Sequence, residues 1–341
     1  MRLAVVVLSY NTRDLLRRAL QSVLASAALT ADRLTIDLLV VDNASPDGSA
    51  AMVQAEFPQV HLLASPVNLG YTGGNNLALQ WLGFAIGLDR ALPSDLDPLT
   101  PPDFVLLLNA DTEVLDDALW QLVQVLVNEP TVGACGANLR YGDGRFQHGA
   151  FAFPTLAQIA LDLFPLAGVR GFHRLSNSRW NGRYGQYQWQ GREPFAVDFV
   201  LGAALMVRRA VIQQIGGLDD GFYLYCEEMD WALRMGLAGW QIKAVPTAQV
   251  IHYEGQSSKQ VRWSAFVRLW RSRLRFYAKY RTLYPPGYLW SVRQLLRGGL
   301  WWRTYLADRR FAEGELTGVA WQAERAAYAA IQRMLTGQIV D

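Results

Sequence analysis

Two cysteines, Cys135 and Cys226, are too few for a disulfide framework or a cysteine-based zinc site, and they suit a reducing compartment. Long apolar runs are also missing. Leu3–Leu8 follows Met1-Arg2, is too short to span a bilayer and lacks the small-residue cleavage site of a signal peptide. The longest later candidate, Leu289–Leu306, is broken by Arg293, Arg297 and Arg303. Neither a secretory leader nor a simple transmembrane anchor is expected. The sequence has no G-x-x-x-x-G-K-[ST] loop and no G-x-G-x-x-G fingerprint, so an ordinary P-loop and a dinucleotide site lack support. Internal repeats and low-complexity tracts are absent as well. Net charge is small: 32 basic against 30 acidic side chains give +2, which argues against a wholly basic nucleic-acid binder.

What the chain does have is apolar material, 51% hydrophobic with 18% charged residues, enough for a sizeable core. Its 341 residues exceed twice the usual ~150 per domain, so one large or two modest domains are expected. The charge is unevenly spread. Lys259–Arg310 holds 13 basic residues and one acid, Asp308, hence +12, while the remaining 19 basic and 29 acidic residues leave −10.

Strand and helix patterns alternate along the first third. Leu3–Leu8 reads as a strand buried on both faces. Leu15, Leu16, Ala19, Leu20, Val23 and Leu24 then recur at helical spacing, with Asn11 or Thr12 as N-cap. Further strands are predicted at Ile36–Val41, Val60–Ala64 and Phe104–Leu108, with helices over Ala50–Phe57 and from the Asn68–Asn76 segment to about Leu88. Later strands are predicted at Val132–Ala137, Phe199–Val207, Gln241–Val245 and Gln249–His252, and a helix from Glu227 to about Ala238. Tyr141–Phe153 reads as a loop, and Phe172–Arg192 as exposed polar surface. Such alternation implies an α/β fold with a parallel sheet, whose ligands sit beyond the carboxyl ends of the strands. Ser9, Asn11, Asp42 and Asp111 all fall there.

Each motif alone has a plain structural reading. Asn109-Ala110-Asp111 places an amide and a carboxylate two residues apart, suited to Mg2+ or Mn2+, yet Asp111 also reads as a helix cap. Gly70–Asn76 supplies backbone N–H groups for an anion, but weakly. Glu227, Glu228 and Asp230 suit a helix N-terminus, with Asp230 paired to Arg234, or a general base raised in pKa by its neighbours. His252 alone reads as a hydrogen-bonded structural residue.

Together the motifs are far more specific. Leu8-Ser9-Tyr10-Asn11, Val41-Asp42-Asn43-Ala44-Ser45, Asn68-Leu69-Gly70-Tyr71 with Gly73-Gly74-Asn75, Leu108-Asn109-Ala110-Asp111, Glu227-Glu228-Met229-Asp230-Trp231 and His252-Tyr253-Glu254-Gly255-Gln256-Ser257 occur in that order. This resembles the inverting glycosyltransferases of family 2 with a GT-A fold, in particular bacterial rhamnosyltransferase-like members, over about Arg2 to Tyr284. The resemblance implies a GT-A nucleotide-sugar-binding domain over residues 1–258, with a mostly parallel central sheet flanked by helices. Its halves would be 1–115 for the nucleotide sugar and 116–258 for acceptor and catalysis, and 259–341 would form a helical extension. It implies donor-binding roles for Ser9, Asn11, Asp42, Asn43, Gly70, Gly73, Asn75, Asn109 and Asp111, and metal ligation by Asp111 and His252. The family's catalytic Glu-Asp pair falls on Glu227-Glu228, so the expected Asp is a Glu here, and Glu228 and Asp230 both stand as base candidates.

The expected function is inverting transfer from a nucleoside-diphosphate sugar, dTDP-rhamnose foremost, to a saccharide or polyprenyl-linked saccharide acceptor in cell-surface polysaccharide synthesis. The competing readings are a sugar-1-phosphate nucleotidyltransferase, whose basic Gly-rich first loop is missing, and a non-catalytic nucleotide-sugar binder. Residues 259–310, aromatic and basic, are expected to meet an anionic membrane surface at the inner face of the cell membrane, leaving the protein otherwise cytoplasmic, with no nucleic-acid partner. The alternative for that segment is an apolar face that simply packs on the catalytic domain.

Overall fold

The structure is a computed structural model and describes residues 1–87, 98–164, 175, 177–253 and 262–336. The chain forms β1 (Arg2–Ser9), α1 (Arg13–Ala28), β2 (Thr35–Asp42), α2 (Ser49–Glu56), β3 (His61–Ala64), α3 (Gly70–Trp81), β4 (Phe104–Asn109), β5 (Thr112–Val114) and α4 (Ala118–Asn128). It continues through β6 (Val132–Arg140), β7 (Ala150–Phe151), α5 (Leu156–Leu163), α6 (Gln186–Trp189), β8 (Phe195–Ala196), β9 (Phe199–Val200), β10 (Ala204–Arg208), α7 (Arg209–Ile215) and α8 (Glu227–Leu237). The last elements are β11 (Gln241–His252), α9 (Arg262–Lys279), α10 (Tyr288–Ala312) and α11 (Gly318–Leu335). There are two compact units: Met1–Ala152, Tyr184–Tyr223 and Glu227–Ser257 make the first, and Phe153–Arg183, Leu224–Cys226 and Ser258–Asp341 the second.

The first unit is built on a sheet of order β3-β2-β1-β4-β10-β6-β11-β5, with β8 also on β11. β1 pairs in parallel with β2 and β4, β2 with β3, and β6 with β11. The sheet is thus mostly parallel, as expected. The exceptions are β5 and β8, both antiparallel to β11, and, at the centre, β10, which runs antiparallel to both β4 and β6. The Phe199–Val207 run is accordingly two strands, because Gly202 turns the chain between β9 and β10.

β1 forms because Ala4-Val5-Val6-Val7 offers apolar side chains on both faces of the pleat, and all four are fully buried. α1 covers one face with Leu16, Ala19, Leu20 and Val23, each large aliphatic side chain contributing ~1.5–3 kcal/mol on burial. Of the two cap candidates Thr12 takes the N-cap position, but its hydroxyl lies 3.0 Å from that of Ser9. The helix's first N–H, from Arg13, is instead capped by Asp47 Oδ2 at 2.8 Å.

Three elements differ from expectation for local reasons. α3 starts at Gly70 and ends at Trp81, so the glycine-rich stretch lies inside the helix and Gly83, at φ +80°, follows its end; Leu88 lies outside the described residues. β11 is continuous from Gln241 to His252, with a register shift between Val245 and Gln249 around Pro246, a residue that donates no ladder hydrogen bond. The segment read as exposed polar surface buries Tyr184 and Trp189, which meet Phe195 at 5.8 and 5.1 Å between ring centroids. Trp180 and Tyr187 are exposed, and residues 172–174 and 176 lie outside the described residues.

The second unit is helical among its described residues. On α9, Trp270, Phe276 and Tyr277 are buried, while Trp263 and Phe266 set their rings edge-on to Tyr328 of α11 at 5.7 and 6.0 Å. Arg273 is enclosed and paired with Asp162 at 2.8 Å. α10 buries Val292, Leu296, Leu300 and Ala307 and leaves Trp290, Trp301 and Tyr305 at least half exposed. No helix among the described residues is long and apolar enough to cross a membrane.

Candidate active site

Strand register brings the first, second and fourth motifs to one edge. Ser9 pairs with Asp42 across β1–β2, and Leu8 with Asn109 across β1–β4. Beyond β1, Asn11 adopts φ +55°, a left-handed conformation that Asn tolerates, and its N–H donates to Ser45 Oγ at 3.0 Å. Asp42 is 3% exposed; its Oδ2 accepts the Ser45 N–H at 3.0 Å, while its Oδ1 has no partner among the described residues. A buried carboxylate oxygen left bare is costly, and a donor from a ligand would satisfy it. Asn43 donates to the Gly70 carbonyl at 2.9 Å and so ties the second motif to the third.

The glycines of the third motif serve close packing. A Cβ on Gly74 would lie 2.3 Å from Leu8 Cδ1, and one on Gly70 would lie 2.6 Å from the Tyr223 ring. Two helix-start N–H groups are already engaged: Gly70 donates to Asn68 Oδ1 at 2.9 Å and Tyr71 to the Tyr223 carbonyl at 3.0 Å. Gly73 and Asn75 are buried in α3, and Asn75 donates to the Tyr71 carbonyl at 3.0 Å.

Tyr71, a member of the third motif to which the sequence assigns no role, connects this edge to the acidic helix. Its hydroxyl donates to the Gly202 carbonyl at 2.7 Å, and burial followed by the charges of Glu227 and Glu228 raises its pKa. The next residue, Ala203, accepts the Asn109 N–H at 3.0 Å, so the Asn109 motif adjoins the same place. The signal was present: Tyr71 directly follows Gly70 in the motif.

Glu227 and Glu228 open α8 after Tyr225 and Cys226, both left-handed at φ +71° and +67°. Two such non-glycine residues cost ~1–3 kcal/mol each and persist only where their surroundings enforce them. Glu227 is buried and its pKa is raised by burial and then by the Glu228 charge. Glu228 keeps some solvent contact, but its Oε2 is buried, and burial pushes its pKa up to about 7. Neither Oε2 has a hydrogen-bond partner among the described residues. A carboxyl poised near neutrality can exchange a proton at working pH.

Asp230, two residues on, is wholly buried and ion-paired with Arg234 at 2.9 Å. The same guanidinium donates to the Ile215 and Gly217 carbonyls at 2.7 and 2.6 Å. Asp230 thereby ties α8 to the chain that follows α7.

At the other end of the edge, β5 and β11 pair His252 with Thr112 and bring His252 Nε2 to 3.4 Å from Asp111 Oδ1. His252 Nδ1 lies 3.2 Å from Gln147 Oε1. An amide oxygen there favours the Nδ1–H tautomer and turns the Nε2 lone pair toward the carboxylate. Two lone-pair donors facing each other suit a divalent cation. Gln147 comes from the segment read as a loop, 105 residues from His252, and nothing in the sequence flags it. No group of three or more His, Cys, Asp or Glu side chains suited to a metal occurs among the described residues. Gly255, Gln256 and Ser257 of the last motif lie outside the described residues.

The family described as "Glycosyltransferase like family 2" matches residues 1–269, most of the chain, so the protein belongs to that family and is a glycosyltransferase. It is 29% identical over 260 residues, 75% of this chain and 77% of the relative, to an N-acetylglucosaminyl-diphospho-decaprenol L-rhamnosyltransferase of Mycobacterium tuberculosis. It is 33% identical to the rhamnosyltransferase WbbL of Escherichia coli K12, but over only 87 residues, 26% of this chain and 33% of that protein. Among solved structures, the mannosyltransferase PcManGT from Pyrobaculum calidifontis, in complex with GDP-Man and Mn2+, superposes with a TM-score of 0.54 at 16% identity, covering 98% of this chain and 86% of that one. At that identity the likeness speaks for the fold, which is of GT-A type.

Proposed function

We propose that this glycosyltransferase moves a deoxyhexose, with dTDP-rhamnose as donor, onto a saccharide carried by a polyprenyl diphosphate, inverting the anomeric carbon. The observation that carries the reading is Glu228, whose Oε2 has no hydrogen-bond partner among the described residues, whose pKa burial pushes up to about 7, and whose charge is felt by Tyr71 of the third motif. The rhamnosyltransferase relatives support the sugar, and the M. tuberculosis relative supports the lipid-linked acceptor.

In this reading Ser9, Asn11, Asp42 and Asn43 hold the nucleotide, with the bare Asp42 Oδ1 accepting from the base or ribose. Gly70, Gly73, Asn75 and Asn109 shape the floor beneath the sugar. Asp111 and His252 fit Mg2+ or Mn2+, which when bound would offset charge on the departing diphosphate. Glu228 takes the proton from the acceptor hydroxyl as that oxygen attacks, and burial beside it raises the pKa of Glu227, which disfavours a second negative charge there. No covalent enzyme intermediate is involved. Residues 1–258 form the catalytic part, and 259–341 the helical extension.

The exposed aromatics of α10, with Arg293 and Arg297 between them, support contact with the anionic inner face of the cell membrane, each basic residue near the surface contributing ~1 kcal/mol. The function test is release of dTDP from dTDP-rhamnose on adding a polyprenyl-diphosphate saccharide and Mg2+, with UDP- and GDP-sugars as rival donors. Faster turnover of either rival would replace the donor named here, and no release with any donor would defeat the reading.

A further inference from the structure

The second unit contains a groove of about 590 Å3, within the ~300–1,000 Å3 of small-molecule sites. Its walls are Trp263, Phe266 and Leu269 of α9, Leu306 of α10 and Tyr328 of α11, an aromatic and aliphatic surface. Three guanidinium groups and one carboxylate also line it, a net charge of +2. Arg310 and Glu324 cancel each other at 2.8 Å, and Glu324, 4% exposed, also accepts the Tyr328 hydroxyl at 2.6 Å. That pair forms a satisfied polar floor.

The other two cations have no carboxylate partner among the described residues. Arg303 donates to the Leu163 and Asp162 carbonyls at the end of α5, also reaches the Tyr328 hydroxyl, and lies over the Phe266 ring, 5.7 Å from its centroid. The Asp162 carboxylate itself is held by Arg273. Arg262 is exposed and stands over the Trp263 ring at 5.0 Å. Both arginines are propped on aromatic walls beside an apolar hollow, an arrangement that suits an apolar chain ending in a phosphate.

We propose that this groove holds the first isoprene units of a prenyl diphosphate, with the phosphates against Arg262 and Arg303. The inference rests on the reading of the acceptor as polyprenyl-linked and assigns its lipid end to a place of its own. Tyr225, which also lines the groove, stands three residues before Glu228 in the chain.

The test is calorimetric titration of the full chain with farnesyl diphosphate in metal-free buffer, against inorganic diphosphate and farnesol. Farnesyl diphosphate is expected to bind at least about tenfold tighter than either part alone, a difference of ~1.4 kcal/mol, and saturating dTDP should not displace it. Ala265→Trp, which fills the groove, should weaken binding about tenfold, and Arg262→Glu, at an exposed position, severalfold. Equal affinity for inorganic diphosphate or for farnesol, displacement by dTDP, or unchanged binding in both folded variants would overturn the proposal. Groove binding without sugar transfer would uphold the groove and defeat only the functional reading. Transfer to a polyprenyl-linked acceptor without groove binding would defeat the groove alone.

Discussion

Glu228 and Asp230 stand two residues apart on one helix and are treated in opposite ways. Asp230 is completely enclosed and held by a guanidinium that also satisfies two carbonyls. Glu228 is left without a partner on Oε2 and next to a second buried carboxyl. Burial alone therefore does not mark a reactive group. A compensated buried charge holds structure together, whereas an uncompensated one stores free energy that a proton or a substrate can release.

The sharpest way to break this contrast is to remove each carboxylate in turn. Glu228→Gln should lower kcat by about 10²–10⁴, the usual contribution of general-base catalysis, and leave donor affinity unchanged in a titration. Asp230→Asn should instead cost up to ~3–5 kcal/mol in a denaturant melt, because the half-buried Arg234 loses its counter-charge. Its turnover, measured well below the melting transition, should persist. A folded Asp230→Asn with no turnover, beside an active Glu228→Gln, would reverse the assignment.

Next in size is the metal pair. Asp111→Ala should remove the Mg2+- or Mn2+-dependent part of dTDP-rhamnose binding, with little change in melting temperature because Asp111 lies in the tight turn between β4 and β5 rather than in the apolar core. Metal-independent donor binding of unchanged strength in wild type would sink this role.

The pH dependence sharpens the contrast further. The folded-state pKa of Glu228 is about 7 against an ordinary 4.5, so the folded protein retains a proton that the unfolded chain has released. Its contribution to stability is full below about 4.5, falls as pH rises to about 7, and is flat above that. Glu228→Gln should reduce this loss, gaining stability over wild type at pH 8 and none at pH 4.5. Transfer needs the ionised form, so kcat should climb to a plateau above about 7. The smallest effect concerns the second unit: Trp301→Ala should weaken sedimentation with anionic vesicles at low salt and leave the melting curve unmoved, since Trp301 is 67% exposed.

Much of this was legible in the sequence. The alternation of apolar strands and amphipathic helices predicted the parallel core, and the polar residues closing β1, β2 and β4 predicted the edge. Their physical basis is local, a period of two or 3.6 and a turn residue at the end. What escaped the sequence was long-range. Gln147 reaches His252 from 105 residues away, and β10 inserts between β4 and β6 with no periodicity to announce its direction. Gly70–Asn76 reads as a glycine-rich lead into a helix that could offer N–H groups to an anion, yet it lies inside α3, where close contact with Leu8 and Tyr223 requires small residues. The aromatic face of α9 reads foremost as membrane-seeking, with packing on the catalytic domain as the alternative; within the second unit its Trp263 and Phe266 meet Tyr328 of α11.

The antiparallel strand at the centre of the sheet bears on how the protein is made. β4 is joined to β6 only through Ala204–Arg208, so during synthesis the first half of the sheet ends in an open edge for about a hundred residues. That edge is Phe104-Val105-Leu106-Leu107-Leu108, all apolar, with one row of backbone donors and acceptors unsatisfied until β10 emerges. Fragments that stop before Ala204 therefore expose a template for intermolecular pairing and should accumulate as aggregates, while fragments that reach past β11 should remain in solution. A library of nested C-terminal deletions would show the change at that strand.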